Sequence, residues 1–295
     1  MQSKRFGVAW TVHQTFPFYV AKHLQRGDMA TREALLLSLH ALAQVLPCKL
    51  CRRSYRNFVR DVQLDRRLQH TLGDSVQFAR VLFDLHNLVN QKLQKPQATS
   101  FSDYVVAAGA DQFRCALLDW LCTIATNYSK FDAQIAAHPT LRSAIHRAQL
   151  LLQQREPSVW LRKSMLQRQS LLAFVDAMAF DLWPGRAAAT ADRALLDAWR
   201  KIWWHMVYFD ALLRLLHSSG QHRLVHCGTA LRNATVTGGD NETCSALFES
   251  SDAMFCALYN VRRRCAWPES CDSLQALKER FESYRAGGCK GQTCD

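Results

Sequence analysis

The sequence predicts an all-α protein, with an N-terminal helical bundle and a C-terminal helical domain. Three observations predict it. Apolar residues recur at helical spacing in most of the chain, as in residues 34–46. No strand-like alternation interrupts the four or five helices that fit, with short connections, into about the first 95 residues. The length of 295 residues, 48% of them hydrophobic, suffices for one large or two ordinary domains with their own cores. The expected division is 1–112 and 113–295.

Residues 4–23 read as the first helix, with Phe6, Trp10, Phe16 and Tyr19 as its apolar and aromatic positions and Pro17 as a kink or interruption. Thr31 reads as the N-cap of a second helix through residues 34–46. Pro47 opens a third, since a proline at the first helical position loses no hydrogen bond. Gly73-Asp74-Ser75 then punctuates the chain and caps a helix over residues 76–95, which Pro96 stops. Residues 113–183 and 190–218 read as further helices, separated at Pro184-Gly185. Trp199, Ile202, Trp203, Met206 and Leu213 form part of an apolar face there. Residues 218–243, rich in Ser, Gly and Asn, read as a loop.

The net charge is +12. Its Arg and Lys are spread along most helices with no run of five or more, so solvated helix faces account for it and no nucleic-acid partner is expected. His13, Gln14 and Pro17 interrupt the apolar residues near the start, so no secretory signal is read. No apolar stretch reaches the roughly 18 residues of a membrane span. A cytoplasmic protein is expected, and the sequons at Asn127, Asn233 and Asn241 carry no weight.

Eleven cysteines are unevenly placed. Cys48 and Cys51 stand alone in the first 110 residues, in the string Pro47-Cys48-Lys49-Leu50-Cys51-Arg52-Arg53. A CxxC can form a readily exchanged disulfide or supply half a metal site. In a helix's first turn, beside Lys49, Arg52 and Arg53, the dipole and the cations both favour a thiolate. The metal reading needs a second ligand pair at compact spacing, and none occurs in that region. A thioredoxin-like reading needs a βαβ pattern, which is absent. Cys115 and Cys122 lie about 10.5 Å apart along a helix axis, too far to bridge each other; they read as core cysteines or partners of remote sulfurs. Seven cysteines crowd the last 70 residues or so: Cys227, Cys244, Cys256, Cys265, Cys271, Cys289 and Cys294. Cys265 and Cys271 span a turn and could close locally. Cys289 and Cys294 sit in a Gly-rich terminus, either a frayed end or a mobile redox pair.

On the predicted helix 76–95, Phe83, His86, Asn90 and Leu93 share one face. A buried His and Asn there need partners. The string from His86 to Pro96 reads HNxVNxKLxKP. With a CxxC about 35 residues upstream and an aromatic-rich Trp10…His13 helix before that, it closely resembles the Erv/ALR family of FAD-dependent sulfhydryl oxidases. The resemblance covers about residues 4–96, and the overall layout is similar to forms encoded by large DNA viruses, which would place the chain in host cytoplasm or virion.

The resemblance implies a four-helix bundle with a short fifth helix, holding FAD at its mouth. By position, Cys48 and Cys51 would be the redox-active disulfide, with Cys51 against the flavin and Cys48 exchanging with incoming dithiols. His86, Asn87, Val89 and Asn90 would line the adenine and ribose. Lys92 and Lys95 would face the phosphates, and Trp10 and His13 the flavin. The implied reaction forms disulfides in protein dithiols and releases hydrogen peroxide from oxygen, in a homodimer. Cys289 and Cys294 would be a shuttle pair. The chain departs from the family in three places. His13 follows Trp10 by three residues where four is usual, so either Gln14 takes that place or the helix is shifted. Asp84 stands where a histidine is frequent, and Phe78 or Phe83 substitutes for an aromatic that is not plainly matched. The rival reading is a non-catalytic helical protein whose cysteines bind zinc or only pack.

Overall fold

From residue 34 onward the helix Met29–Val45 (α1) is apolar on almost every side, and even Ser38 and His40 are buried in it. From residue 34 to its end, all residues but Leu36 and Gln44 are fully buried. A helix with no polar face has to be enclosed by others. In the computed structural model, which describes residues 12, 29–46, 49–64, 66–67, 74–97, 100–106, 112–154, 171–184, 193–218, 247–264 and 273–282, the enclosure is helical throughout, and no strand occurs among the described residues.

The helices that follow are Lys49–Asp61 (α2), Ser75–Lys92 (α3), Phe101–Val106 (α4) and Gln112–Tyr128 (α5). A single 3₁₀ turn, Ser129–Phe131, leads into Asp132–Ala137 (α6) and Pro139–Gln154 (α7). Then come Leu171–Leu182 (α8), Arg193–Ser218 (α9), Ser251–Arg264 (α10) and Leu274–Glu282 (α11).

Among the described residues the most extensive pairing joins α1 to α9. Its core is continuous: Leu35, Leu39 and Leu42 of α1 belong to the same buried cluster as Trp199, Trp203, Val207 and Leu212 of α9. The apolar face read around Trp199 and Trp203 therefore lies on the helix that covers α1. Tryptophan fits such a seam only if its N–H finds an acceptor. Trp199 Nε1 donates to the Ala179 carbonyl at 2.6 Å and Trp203 Nε1 to that of Val175 at 2.7 Å, both on α8. Trp120 Nε1 of α5 donates to the Tyr208 hydroxyl of α9 at 2.6 Å. These bonds fix α5, α8 and α9 in register at the centre.

Two helix boundaries differ from the sequence expectation. Thr31 is not an N-cap: α1 already runs from Met29, because Met29 and Ala30 propagate a helix readily. Asp74 does cap α3, accepting from the amides of Val76 at 2.9 Å and Gln77 at 3.1 Å, a contact typically worth about 1 kcal/mol. That helix stops at Lys92, not Lys95. Gln94 turns left-handed with φ 52°. The Gln94 amide then donates to Gln91 at 3.1 Å and the Lys95 amide to Asn90 at 2.9 Å. This pair of bonds is a Schellman closure, formed here without the usual glycine. It leaves Leu93 about half exposed, off the inward face that Phe83 and Asn90 share.

The helices α10 and α11 were not read from the sequence. Ser250 and Ser273 start them, each accepting a backbone N–H three residues on: Ala253 at 3.1 Å and Ala276 at 3.0 Å. A second clamp holds α10 to the middle of the chain. The Asp132 carboxylate accepts from the Ser251 amide at 2.9 Å and from its hydroxyl at 2.5 Å. The expected helix over residues 4–23 lies, except for Val12, outside the described residues.

Candidate active site: the cysteine helix and the His-Asn helix

Cys51 is half-buried in the first turn of α2. Two contacts place this turn. The Arg52 guanidinium reaches back and donates to the Leu46 carbonyl, just past the end of α1, at 2.7 Å. A cation at a helix C-terminus satisfies a carbonyl that the helix leaves open, and this bond ties the start of α2 to the end of α1. Tyr55, one turn beyond Cys51, is fully buried, and Phe58 and Val59 pack on the core. Burial pushes the Tyr55 phenol far up, with Tyr208 adding to the shift. The outer face carries Arg53, Arg56, Asn57 and Arg60, all exposed. With its inner face fixed by aromatic packing and its outer face charged, α2 has one rotational setting, and Cys51 takes its place from it. Lys49 and Leu50 are exposed beside it.

The helix α3 packs on α2. The Lys92 ammonium donates to the Ser54 hydroxyl, three residues after Cys51 and on the same side of the helix. This contact brings the end of the His-Asn string to the cysteine helix. Along α3, Asn90 is buried, while His86, Asn87 and Val89 are part-buried. The His86 ring meets the Tyr104 ring edge-on at 6.0 Å, and Phe83 packs edge-on against Phe101 at 5.6 Å and Tyr104 at 5.3 Å. Burial lowers the His86 pKa, and Lys95 lowers it further, so both favour the neutral imidazole. Phe78 and Phe83, the two aromatics expected near the His-Asn pair, are both buried. Asp84 pairs with Arg67 at 2.7 Å, on the rim of an open cleft of about 420 Å³ that Asn87 also lines.

Of the expected site residues, the structure brings together Cys51, His86, Asn87, Val89, Asn90 and Lys92 on two packed helices, with Lys95 just past the end of α3. Cys48, Trp10, His13, Cys289 and Cys294 lie outside the described residues. Ser54, Phe101 and Tyr104 were not read as site residues. The aromatic spacing of three between Phe101 and Tyr104, directly after the Pro96 stop, was the available signal.

Residues 8–108 match the Erv1 / Alr family. The chain carries an Erv1/Alr domain. That family is one of FAD-linked thiol oxidases. The matched segment takes in α1 to α4, so it continues past Pro96, where the sequence resemblance stopped, and includes the Phe101–Tyr104 shelf. Comparison with curated proteins and with solved structures returned no match. The helices from α5 onward lie beyond the Erv1/Alr domain, yet α9 supplies the wall against α1. Among the described residues, no helix is long and apolar enough to cross a membrane.

The polar groups of the Erv1/Alr domain fit FAD. A buried amide at Asn90 and, beside an aromatic shelf, the favoured neutral imidazole of part-buried His86 suit an uncharged heterocycle. Lys92 and Lys95, exposed at the end of the same helix, suit a pyrophosphate.

Proposed function

We propose that the protein is an FAD-dependent thiol oxidase that forms disulfide bonds in protein substrates. The observation that carries this reading is the contact from Lys92 to Ser54, which sets the His-Asn string against the helix of Cys51. In this reading Cys48 and Cys51 form the exchanging disulfide. A substrate thiolate attacks Cys48 and displaces Cys51 as a thiolate. The second substrate thiol then attacks the mixed disulfide, releasing the substrate disulfide and freeing Cys48; both protons pass to solvent. Lys49, Arg52, Arg53 and the first-turn amides of α2 favour negative charge at Cys51. His86, Asn87, Val89 and Asn90 would hold adenine and ribose, Lys92 and Lys95 the pyrophosphate, and Trp10 and His13 would flank the ring system. When bound, FAD supplies a two-electron acceptor that passes those electrons to oxygen. The balance is one dithiol and one O₂ consumed for each disulfide and each H₂O₂ formed.

Since α9 covers α1 within one chain, any pairing of two copies uses other faces. The terminal pair Cys289 and Cys294 would relay electrons from folded substrates to Cys48, as a tethered pair gains a high effective concentration.

Oxygen uptake and peroxide release with two substrates test both parts. Dithiothreitol and a reduced folded protein should each give equal moles of peroxide and disulfide. Deleting residues 287–295 should slow oxidation of the folded protein several-fold and leave dithiothreitol oxidation nearly unchanged. No peroxide with either substrate would contradict the oxidase reading, whereas unchanged rates after the deletion would contradict only the relay.

A further inference from the structure

A cleft of about 480 Å³ opens where the cysteine helix meets the C-terminal helices. Cations converge on it from three elements. Arg52 and Arg56 come from α2, Lys130 from the 3₁₀ turn, and Arg200 and Lys201 from α9. Two carboxylates, Asp176 and Asp197, face these five cations, an excess of three positive charges. Asp176 is already engaged: Arg200 grips it through Nε at 3.2 Å and through Nη2, and Trp204 Nε1 approaches it at 3.4 Å.

His205 belongs to the same wall and adds no charge. Its Nδ1 lies 2.7 Å from the Lys201 carbonyl, so that nitrogen carries the proton. Burial brings its pKa down to about 3, with Lys130 and Arg52 contributing, so the positive field extends to this ring. Cations on a convex helix face are normally only solvated. Here they line a concave site of a size that accepts a small molecule.

We propose that this cleft binds a small polyanion bearing phosphate groups. Arg52 and Arg56 are four residues apart and share one side of α2; Arg52 also holds the Leu46 carbonyl, so Arg56 is the one that presents its fork to the cleft. Such forks match the paired oxygens of a phosphate, while Lys130 and Lys201 act as point charges. An excess of three charges suits a diphosphate better than a single carboxylate. The site is separate from the His-Asn helix, since none of His86, Asn87, Asn90, Lys92 or Lys95 lines it. It does not rest on the oxidase reading.

Calorimetric titration of the full chain with inorganic pyrophosphate, at about 0.15 M salt where surface charges are screened, tests the site. Saturable binding is expected. The double variant Arg56→Gln/Lys201→Gln changes two exposed side chains, so its fold should persist, with a thermal midpoint close to that of the parent. Its Kd should rise roughly tenfold or more for each cation removed. Arg142→Gln, which removes an exposed cation outside the cleft, should leave the Kd unchanged. Adenosine diphosphate, titrated into the FAD-loaded chain so that the His-Asn helix is occupied, is the second titrant: tighter binding than pyrophosphate would name a nucleotide as the phosphate source, and weaker binding would name the free anion. Absence of binding, equal affinity in the double variant, or weakening by Arg142→Gln alone would each overturn the proposal.

Discussion

Cys51→Ser should lower dithiol oxidation by at least about 1,000-fold, the scale of loss when a covalent nucleophile is removed. The variant should still fold, since Cys51 is only half-buried and its loss leaves the Tyr55 and Trp203 packing intact. A stability change within about 1 kcal/mol is expected for such a site. Cys48→Ser should be equally inactive, because the disulfide needs both sulfurs. Initial rates of oxygen uptake, with circular dichroism as the folding control, check this. Turnover within tenfold of wild type in either variant would remove the CxxC from the reaction.

Trp203→Ala should have the largest effect on stability, about 3–5 kcal/mol, as for other buried aromatic truncations. The side chain is wholly buried, packs near Trp199 at 6.2 Å between ring centres, and holds α8 through the Val175 carbonyl. The structure adds a sharper expectation. Because α9 covers α1, the loss should be felt in the Erv1/Alr domain as well as in the C-terminal helices. Urea unfolding followed by tryptophan fluorescence and by helical circular dichroism should shift together, in one transition. Two separated transitions, with only one displaced, would mean that the halves fold independently.

The all-α class was legible because apolar spacing follows the helical period almost everywhere. The start of α3 was legible too, since Asp74 is a capping residue placed where the apolar pattern begins. The C-terminal end of that helix was not: the left-handed turn falls on Gln94, a residue whose identity does not announce it. The site was legible as a motif, through the CxxC and the His-Asn string. Its assembly was not, since no local pattern indicates that Lys92 reaches Ser54 across 38 positions of sequence. The role of the C-terminal helices was also hidden. Trp199 and Trp203 announced an apolar face, but nothing in their spacing said that their helix would cover α1. The fate of the tail cysteines was not legible; the structure shows that Cys256, the one among the described residues, is disulfide-bonded and buried on α10.

The absorption spectrum of the purified full chain tests the central claim most directly. An Erv1/Alr oxidase in which His86, Asn90, Lys92 and Lys95 hold FAD should be yellow, with a flavin band near about 450 nm. Denaturation should release about one FAD per chain. Lys92→Ala/Lys95→Ala should retain less of it. A colourless protein that takes up no FAD, and instead carries zinc bound through its cysteines, would contradict the account.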